Sequence, residues 1–176
     1  MTESSLSKIE PSKINESLIC NIAILLNEIM EENAREPNKK TNDSFKCKRP
    51  PSISLEEYLK RIIKYTGMEE STLMVALIYL DRVCDTNGIA LDNYTIHRYF
   101  WYVTLRLVLT SVLIAIKYNE DDIYSNMFYS KVVGVGQDEL NTMESVFMSL
   151  INFNLYVKSK EFRHYQNYMR KIAEEK

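Results

Sequence analysis

Cysteine, proline, glycine and tryptophan are all scarce in this chain of 176 residues, which has three, four, four and one of them. The cysteines, Cys20, Cys47 and Cys84, are odd in number and share no C-x-x-C spacing, which argues against a disulfide framework and a zinc site. The amino terminus lacks the basic and then apolar order of a signal peptide. We therefore expect a protein of the cytoplasm, the nucleus or both.

An excess of charge of either sign is also missing, because 22 basic residues nearly balance 24 acidic ones. Such a chain has no general field to hold DNA, RNA or an anionic membrane, so we expect neither partner. Residues 99–116 are almost long enough to span a bilayer, but Arg106 lies near the middle of the run. A helix that is apolar on every side is also typical of the centre of a helical bundle, which we favour here.

Motifs for catalysis and for cofactors are absent as well. Gly134-Val-Gly136 lacks the third glycine and the preceding strand of a dinucleotide-binding site. His97 and His164 are far apart, and Glu120-Asp121-Asp122 lacks the alternating ligands of a calcium loop. We expect no cofactor, no metal, no small-molecule substrate and no enzymatic activity.

What is present is helical periodicity, and it predicts one all-α domain with two additions. All four prolines lie within the first 51 residues, and from Ser52 onward only glycines interrupt the periodic segments. An amphipathic helix, which Ser12 can cap, is predicted within residues 1–35, and a polar linker spans residues 36–49. The main helical unit covers residues 50–157, and a C-terminal helix, which Ser159 can cap, lies within residues 158–176.

Five helices are predicted inside the main unit. Ser54 and Glu57 form a capping box that starts the first, and Gly67 separates it from the second. The third lies between residues 94 and 118, the fourth covers residues 124–133, and the fifth follows Gly136. Arg61 in the first helix and Asp81 in the second are predicted to form a structural ion pair.

Lys117 and Glu144 interrupt apolar helical stripes. Lys117 follows Leu113 and Ile114, and Glu144 lies between Leu140 and Met148 at helical spacing. Ionised groups on such faces are costly unless they are paired or hydrogen-bonded. Either the two charges neutralise each other inside a core, or the polar groups of a partner meet them at an interface.

Four blocks of this sequence resemble cyclins of the P-type or Pho80-like group. In order along the chain they are PPSISLEEYLKRIIKYT, ALIYLDR, LTSVLIAIKYNEDDIYSNMFYSKVVGVGQDELNTMESVF and INFNL. They cover most of residues 50–157. Each block is weak by itself, but the joint order of the blocks is specific.

The resemblance implies a five-helix cyclin box that binds and activates a cyclin-dependent protein kinase, Pho85-like or related. In cyclins a lysine and a glutamate at the positions of Lys117 and Glu144 hydrogen-bond the kinase around its mobile αC helix. By the same match, the apolar part of the kinase-binding surface is supplied by Ile114, Tyr118, Met148, Phe153 and Leu155. The alternative is a cyclin-fold adaptor that binds other molecules without acting through a kinase.

Two features depart from the family pattern. Residues 99–104, YFWYVT, are extra before the third helix, and they either lengthen that helix, form an inserted loop or reflect an error in the gene prediction. The substrate-docking patch of cell-cycle cyclins, with its Met-Arg-Ala-Ile-Leu start, is missing from the first helix of the box. The resemblance therefore does not extend to docking of the basic-leucine substrate motif.

Overall fold

The computed structural model describes residues 14–33, 53–87 and 100–174. These ranges contain seven α-helices and no strand, which confirms the predicted all-α class. In chain order the helices are α1 (Glu16–Asn33), α2 (Leu55–Thr66), α3 (Glu70–Asn87), α4 (Phe100–Asn119), α5 (Asn126–Val133), α6 (Gln137–Leu150) and α7 (Ser159–Glu174).

Helix α4 is the centre of the bundle, as its apolar sequence predicts. It packs against α3 and α6, and Leu107, Leu109 and Leu113 are completely buried. Arg106 is buried as well, and its guanidinium pairs with the carboxylate of Glu139 on α6. In the described part of the chain, no helix has the length and apolar character to cross a membrane.

The extra residues before α4 lengthen this helix rather than forming a loop. The helix begins at Phe100, so residues 100–104 all have helical backbone. Thr104 is already buried in the core. The insertion therefore extends the central helix at its N-terminus, on the end away from Lys117, while Tyr99 lies outside the described residues.

The predicted capping box at the start of α2 is formed. The Glu57 amide donates to Ser54 Oγ at 3.2 Å, and the Ser54 amide donates to Glu57 Oε2 at 3.0 Å. The backbone bond to Ser54 keeps the pKa of Glu57 below its usual value. Gly67 ends the helix with φ at 66°, a left-handed conformation that glycine adopts without steric cost.

The N-terminal helix α1 docks on the rest of the bundle, where it packs on α2 and α7. Its apolar face is buried through Ile19, Ile22 and Leu26. The side chain of Asn15 accepts a hydrogen bond from the Ser17 amide at 2.9 Å. This bond pairs one of the backbone N–H groups that have no partner within the helix at its start. Ser12, the cap predicted from sequence, and the linker at 36–49 lie outside the described residues.

The predicted ion pair between Arg61 and Asp81 is not formed, which is a correction. Arg61 is exposed and points to α5, where its Nη2 lies 3.5 Å from the Lys131 carbonyl oxygen. Asp81 is exposed and accepts a hydrogen bond from the Tyr165 hydroxyl of α7. The two charges lie on faces of α2 and α3 that meet different neighbours, a property that spacing along the chain does not reveal.

Candidate protein-interaction site

Lys117 and Glu144 are brought together at the surface. Lys117 lies in the last turn of α4, Glu144 lies in the middle of α6, and Lys117 Nζ is 2.6 Å from Glu144 Oε1. Their side chains are 29% and 14% exposed, respectively. The charges therefore do pair with each other, but at the rim of the core and within reach of a partner.

Asn126, the first residue of α5, lies between the two charges. Its Oδ1 accepts a hydrogen bond from Lys117 Nζ, and its Nδ2 donates to Glu144 Oε2 at 2.6 Å. The same Nδ2 lies 2.6 Å from Asn141 Oδ1 on α6. The four residues Lys117, Asn126, Asn141 and Glu144, here named the Lys117 cluster, thus join α4, α5 and α6.

Aromatic rings support the cluster from the α5 side. Lys117 Nζ lies 5.8 Å from the centroid of the Tyr129 ring, an arrangement that favours a cation. Tyr129 is completely buried, and burial raises the pKa of its hydroxyl, which accepts the Tyr124 amide at 3.1 Å. Tyr129 therefore stays neutral at physiological pH and provides a fixed ring beneath the ammonium group.

Glu120 fixes the end of α4 just beyond Lys117. Its Oε1 accepts the Glu69 amide at 2.9 Å and the Thr72 hydroxyl, both at the N-terminus of α3. A carboxylate stabilises this end of a helix because the first backbone N–H groups are unpaired there. Glu120 is thus a structural link between α3 and α4, and the described residues include no group of side chains that could hold a metal ion.

Exposed apolar side chains lie next to the Lys117 cluster in sequence. Tyr118 follows Lys117 and is 53% exposed, and Met127 follows Asn126 and is 52% exposed. Phe153, beyond the end of α6, is 70% exposed. Isolated apolar residues on a surface are common, but large ones next to partly buried charged groups are typical of an interface.

The residues predicted to accompany Lys117 and Glu144 differ in how much surface they offer. Tyr118 and Phe153 are exposed, whereas Met148 and Leu155 are half-buried against the core. Ile114 is 5% exposed, so it supports this face from beneath and offers almost no surface of its own. Its burial follows from the position of α4 at the centre of the bundle.

Phe153 is held in an unusual backbone conformation. Its φ is 54° and that of Asn152 is 52°, values in the left-handed region. For a residue with a Cβ this region costs about 1–2 kcal/mol, and a bulky side chain there is uncommon. The Phe153 amide donates to the Met148 carbonyl at 2.9 Å, which helps to hold the turn. Backbone strain that places a large apolar side chain in solvent is a reason to suspect a binding function.

A second group of charges fixes the segment that follows Phe153. Arg82 of α3 donates to the carbonyl oxygens of Asn154 at 2.7 Å and Tyr156 at 3.0 Å, and it pairs with Glu161 of α7 at 2.8 Å. Tyr79, one turn earlier, donates to the Leu155 carbonyl at 2.7 Å. We name these side chains, Tyr79, Arg82 and Glu161, the Arg82 cluster, and it determines the path of the chain between α6 and α7.

Sequence reasoning found Lys117 and Glu144 but missed Asn126 and Met127. An asparagine behind the N-cap Ser125 is unremarkable in sequence, since caps and turns favour such residues. Its role depends on the crossing of three helices. The resulting site offers hydrogen-bond donors, acceptors and apolar surface, which is the chemistry of protein recognition.

Comparisons with known proteins agree with this description. A sequence model of the cyclin family matches residues 15–155. Cyclin-U4-3 of Arabidopsis thaliana is 33% identical over 155 residues, which cover 88% of this chain and 67% of that protein. PHO85 cyclin-7 of Saccharomyces cerevisiae is 32% identical over 182 residues, covering 89% of this chain and 61% of that protein. Cyclin-P3-1 of Oryza sativa subsp. japonica is 30% identical over 127 residues, covering 72% and 50%.

The chain thus spans about half to two thirds of the length of these relatives. The matched region begins one residue before α1 and ends in the segment held by the Arg82 cluster, so it includes both charged clusters except for Glu161. Cyclins are regulatory proteins, which agrees with a site built for recognition. The chain belongs to the cyclin family, in its Pho80-like group.

Proposed function

We propose that this chain is a non-catalytic regulatory subunit that binds and activates a cyclin-dependent protein kinase by packing on the kinase αC helix. The kinase needs its own lysine-glutamate ion pair in place before it can transfer a phosphoryl group. A subunit that holds αC in the active position shifts the kinase population toward that arrangement. All reacting groups then belong to the kinase.

The observation that carries this proposal is the Lys117 cluster with its apolar surroundings. Lys117 and Glu144 are partly exposed, and both are oriented by Asn126. Glu144 Oε1 is buried against the ammonium group of Lys117, 2.6 Å from Nζ, and Lys117 is the more exposed of the two side chains, at 29% against 14%. A partner that brings donors and acceptors to this pair, and apolar atoms to Phe153 and Tyr118, completes an interface with a polar centre.

The relatives support the class of partner. One of them carries the name PHO85 cyclin-7, and its similarity extends over 89% of this chain. We therefore propose a kinase of the Pho85-like class or a related one, in the cytoplasm or the nucleus.

Charge reversal tests the proposal and separates an interface from an internal ion pair. Purified wild type, Lys117→Glu, Glu144→Lys and the double swap are titrated against a purified Pho85-like kinase. Each single reversal is expected to weaken binding by about 2–4 kcal/mol, about 30-fold to 1000-fold, because it places a wrong charge at the centre of the contact. Lys160→Glu on the exposed side of α7 is the matched control and should bind like the wild type.

The double swap is the decisive variant. It restores an ion pair of opposite polarity inside this chain, so it should fold like the wild type by circular dichroism and still fail to bind the kinase. Recovery of binding by the double swap would show that the pair has only an internal role. Absence of any kinase binding or activation by the wild type would favour the adaptor function instead, and binding of another protein that survives the swap would establish it.

A further inference from the structure

We infer that Asn126 is a positioning residue for kinase recognition, which orients Lys117 and Glu144 relative to each other. The inference rests on the proposed function and assigns a role to a residue that does not itself have to contact the kinase.

The amide of Asn126 matches both of its charged neighbours at once. Its carbonyl oxygen accepts from the Lys117 ammonium, and its NH₂ group donates to Glu144 Oε2. A carboxylate has acceptors alone and an ammonium has donors alone, so neither can replace the amide in this place. With Asn126 present, Lys117 is bound on one side and Glu144 is bound by its Oε2, so the orientation of both groups is fixed.

Fixing these groups matters because both side chains are otherwise free to choose among several rotamers. A lysine has a long flexible stem, and ordering such a side chain at an interface costs about 0.5–1.5 kcal/mol. A hydrogen bond that orders it before the partner arrives removes part of this cost from the binding step. Asn141 holds Asn126 in turn, through a contact of 2.6 Å to Nδ2.

The folding of α5 does not explain why Asn126 makes these contacts. The N-cap of this helix is Ser125, whose hydroxyl accepts the Phe128 amide at 3.4 Å. The helix ends at Gly134, whose amide donates to the Ser130 carbonyl at 2.9 Å. The side chain of Asn126 takes no part in either end and is directed to α4 and α6.

The variant Asn126→Asp tests the inference with almost no change in shape. The new carboxylate can still accept from Lys117, but it cannot donate to Glu144 and it adds a like charge beside that residue. Kinase affinity is expected to fall about tenfold or more, measured with the full chain and a purified Pho85-like kinase. Ser125→Ala, which weakens the cap of α5 but leaves the cluster intact, is the control and should retain wild-type affinity.

The pH dependence gives a readout that a purely structural role would not change. Two adjacent carboxylates bind a proton more readily than either does alone, and the protonated group again donates a hydrogen bond. The affinity of Asn126→Asp relative to the wild type, measured from about pH 7.5 down to about pH 5.5, should therefore rise as the pH is lowered. The titratable groups around this position are Lys117 on α4, Glu144 on α6, and Tyr129 with Glu120 nearby. The Tyr129 hydroxyl, whose pKa burial raises, does not change charge in this range.

The outcomes separate the inference from the proposed function. Loss of affinity in Asn126→Asp with recovery at lower pH, and a smaller loss in the uncharged variant Asn126→Ala, supports the positioning role. If Lys117→Glu abolishes binding while Asn126→Asp and Asn126→Ala bind like the wild type, the inference is wrong and the proposed function stands. If the wild type binds no kinase, both fail. A variant with lower affinity, unchanged by pH and accompanied by a matching fall in thermal stability, would show a structural role only.

Discussion

The Arg82 cluster and the Lys117 cluster use the same kind of chemistry in opposite ways. Arg82 donates to two backbone carbonyls and pairs with both oxygens of Glu161, so each of its three guanidinium nitrogens has an acceptor in the chain. Among the described residues, Lys117 donates one hydrogen bond, to Asn126, besides its ion pair with Glu144. The first cluster binds backbone carbonyls as well as a carboxylate, whereas in the second the hydrogen bonds and the ion pair join side chains to side chains.

This difference separates a charge that builds the fold from a charge that is available for recognition. The desolvation cost of a paired arginine offsets much of the attraction in the ion pair. Arg82 therefore serves mainly to fix the geometry of the connecting segment. A partly exposed lysine-glutamate pair, with exposed apolar side chains nearby in the sequence, can contribute to binding instead. Phe153 immediately precedes the segment that the Arg82 cluster fixes, and its ring is 70% exposed.

Removal of Arg82 tests whether this residue stabilises the fold, and it is expected to have the largest effect on stability. Arg82→Ala leaves two carbonyls and the Glu161 carboxylate without their donor, so the free energy of unfolding should fall by about 3 kcal/mol. Denaturant unfolding followed by circular dichroism measures this. Arg163→Ala, on the exposed side of α7, is the control and should change stability by no more than about 0.5 kcal/mol. A loss below about 1 kcal/mol for Arg82→Ala would contradict a structural role.

Tyr79, which belongs to the Arg82 cluster, tests the same structural role through the pH dependence of stability. Burial raises the pKa of its hydroxyl from 10.0 to about 12. Because the folded protein holds the neutral form more tightly, this contribution to stability is complete below pH 10.0 and is lost as the pH rises to about 12. Tyr79→Phe should cost about 1 kcal/mol at neutral pH, from the lost bond to the Leu155 carbonyl, and should make the alkaline decline shallower. Denaturant unfolding at several pH values, with tyrosinate absorbance, measures both. An unchanged alkaline slope would argue against this assignment.

Substitution of Phe153 is expected to have the smallest effect on stability. Stability and kinase affinity should change in opposite directions. Phe153→Gly relieves the left-handed backbone, so the free energy of unfolding should rise by about 0.5–1 kcal/mol, while kinase affinity should fall with the loss of the exposed ring. Asn152→Gly is the matched control, because it relieves a similar φ without removing an apolar side chain; its affinity should be unchanged. If Phe153→Gly binds the kinase like the wild type, Phe153 is not part of the interface.

Much of the fold could be predicted from local signals. The capping box at Ser54, the glycines that end α2 and α5, and the acidic first turn of α6 all act within a few residues of the chain. The apolar character of α4 correctly indicated the central helix. Such signals are readable because the forces behind them act over one or two helical turns.

The candidate site was only partly predictable. Lys117 and Glu144 stood out because each interrupts an apolar stripe, and the structure brings them within 2.6 Å. The ion pair between Arg61 and Asp81 was predicted wrongly, since the sequence does not tell which face of α2 meets α3 and which meets α5. Asn126 was missed for the same reason, because one polar residue at a helix start becomes informative only when its neighbours in space are known.

The sequence by itself determined the all-α class, the order of the helices in the main unit and the two charges that do not fit their stripes. Periodicity, caps and glycines are local, and each can be evaluated from a short window of residues. The tertiary structure alone decided that residues 100–104 lengthen α4, that Glu120 caps α3, and that Asn126 links Lys117 to Glu144. These outcomes depend on how the helices cross, and the crossing is set by the packing of many side chains at once.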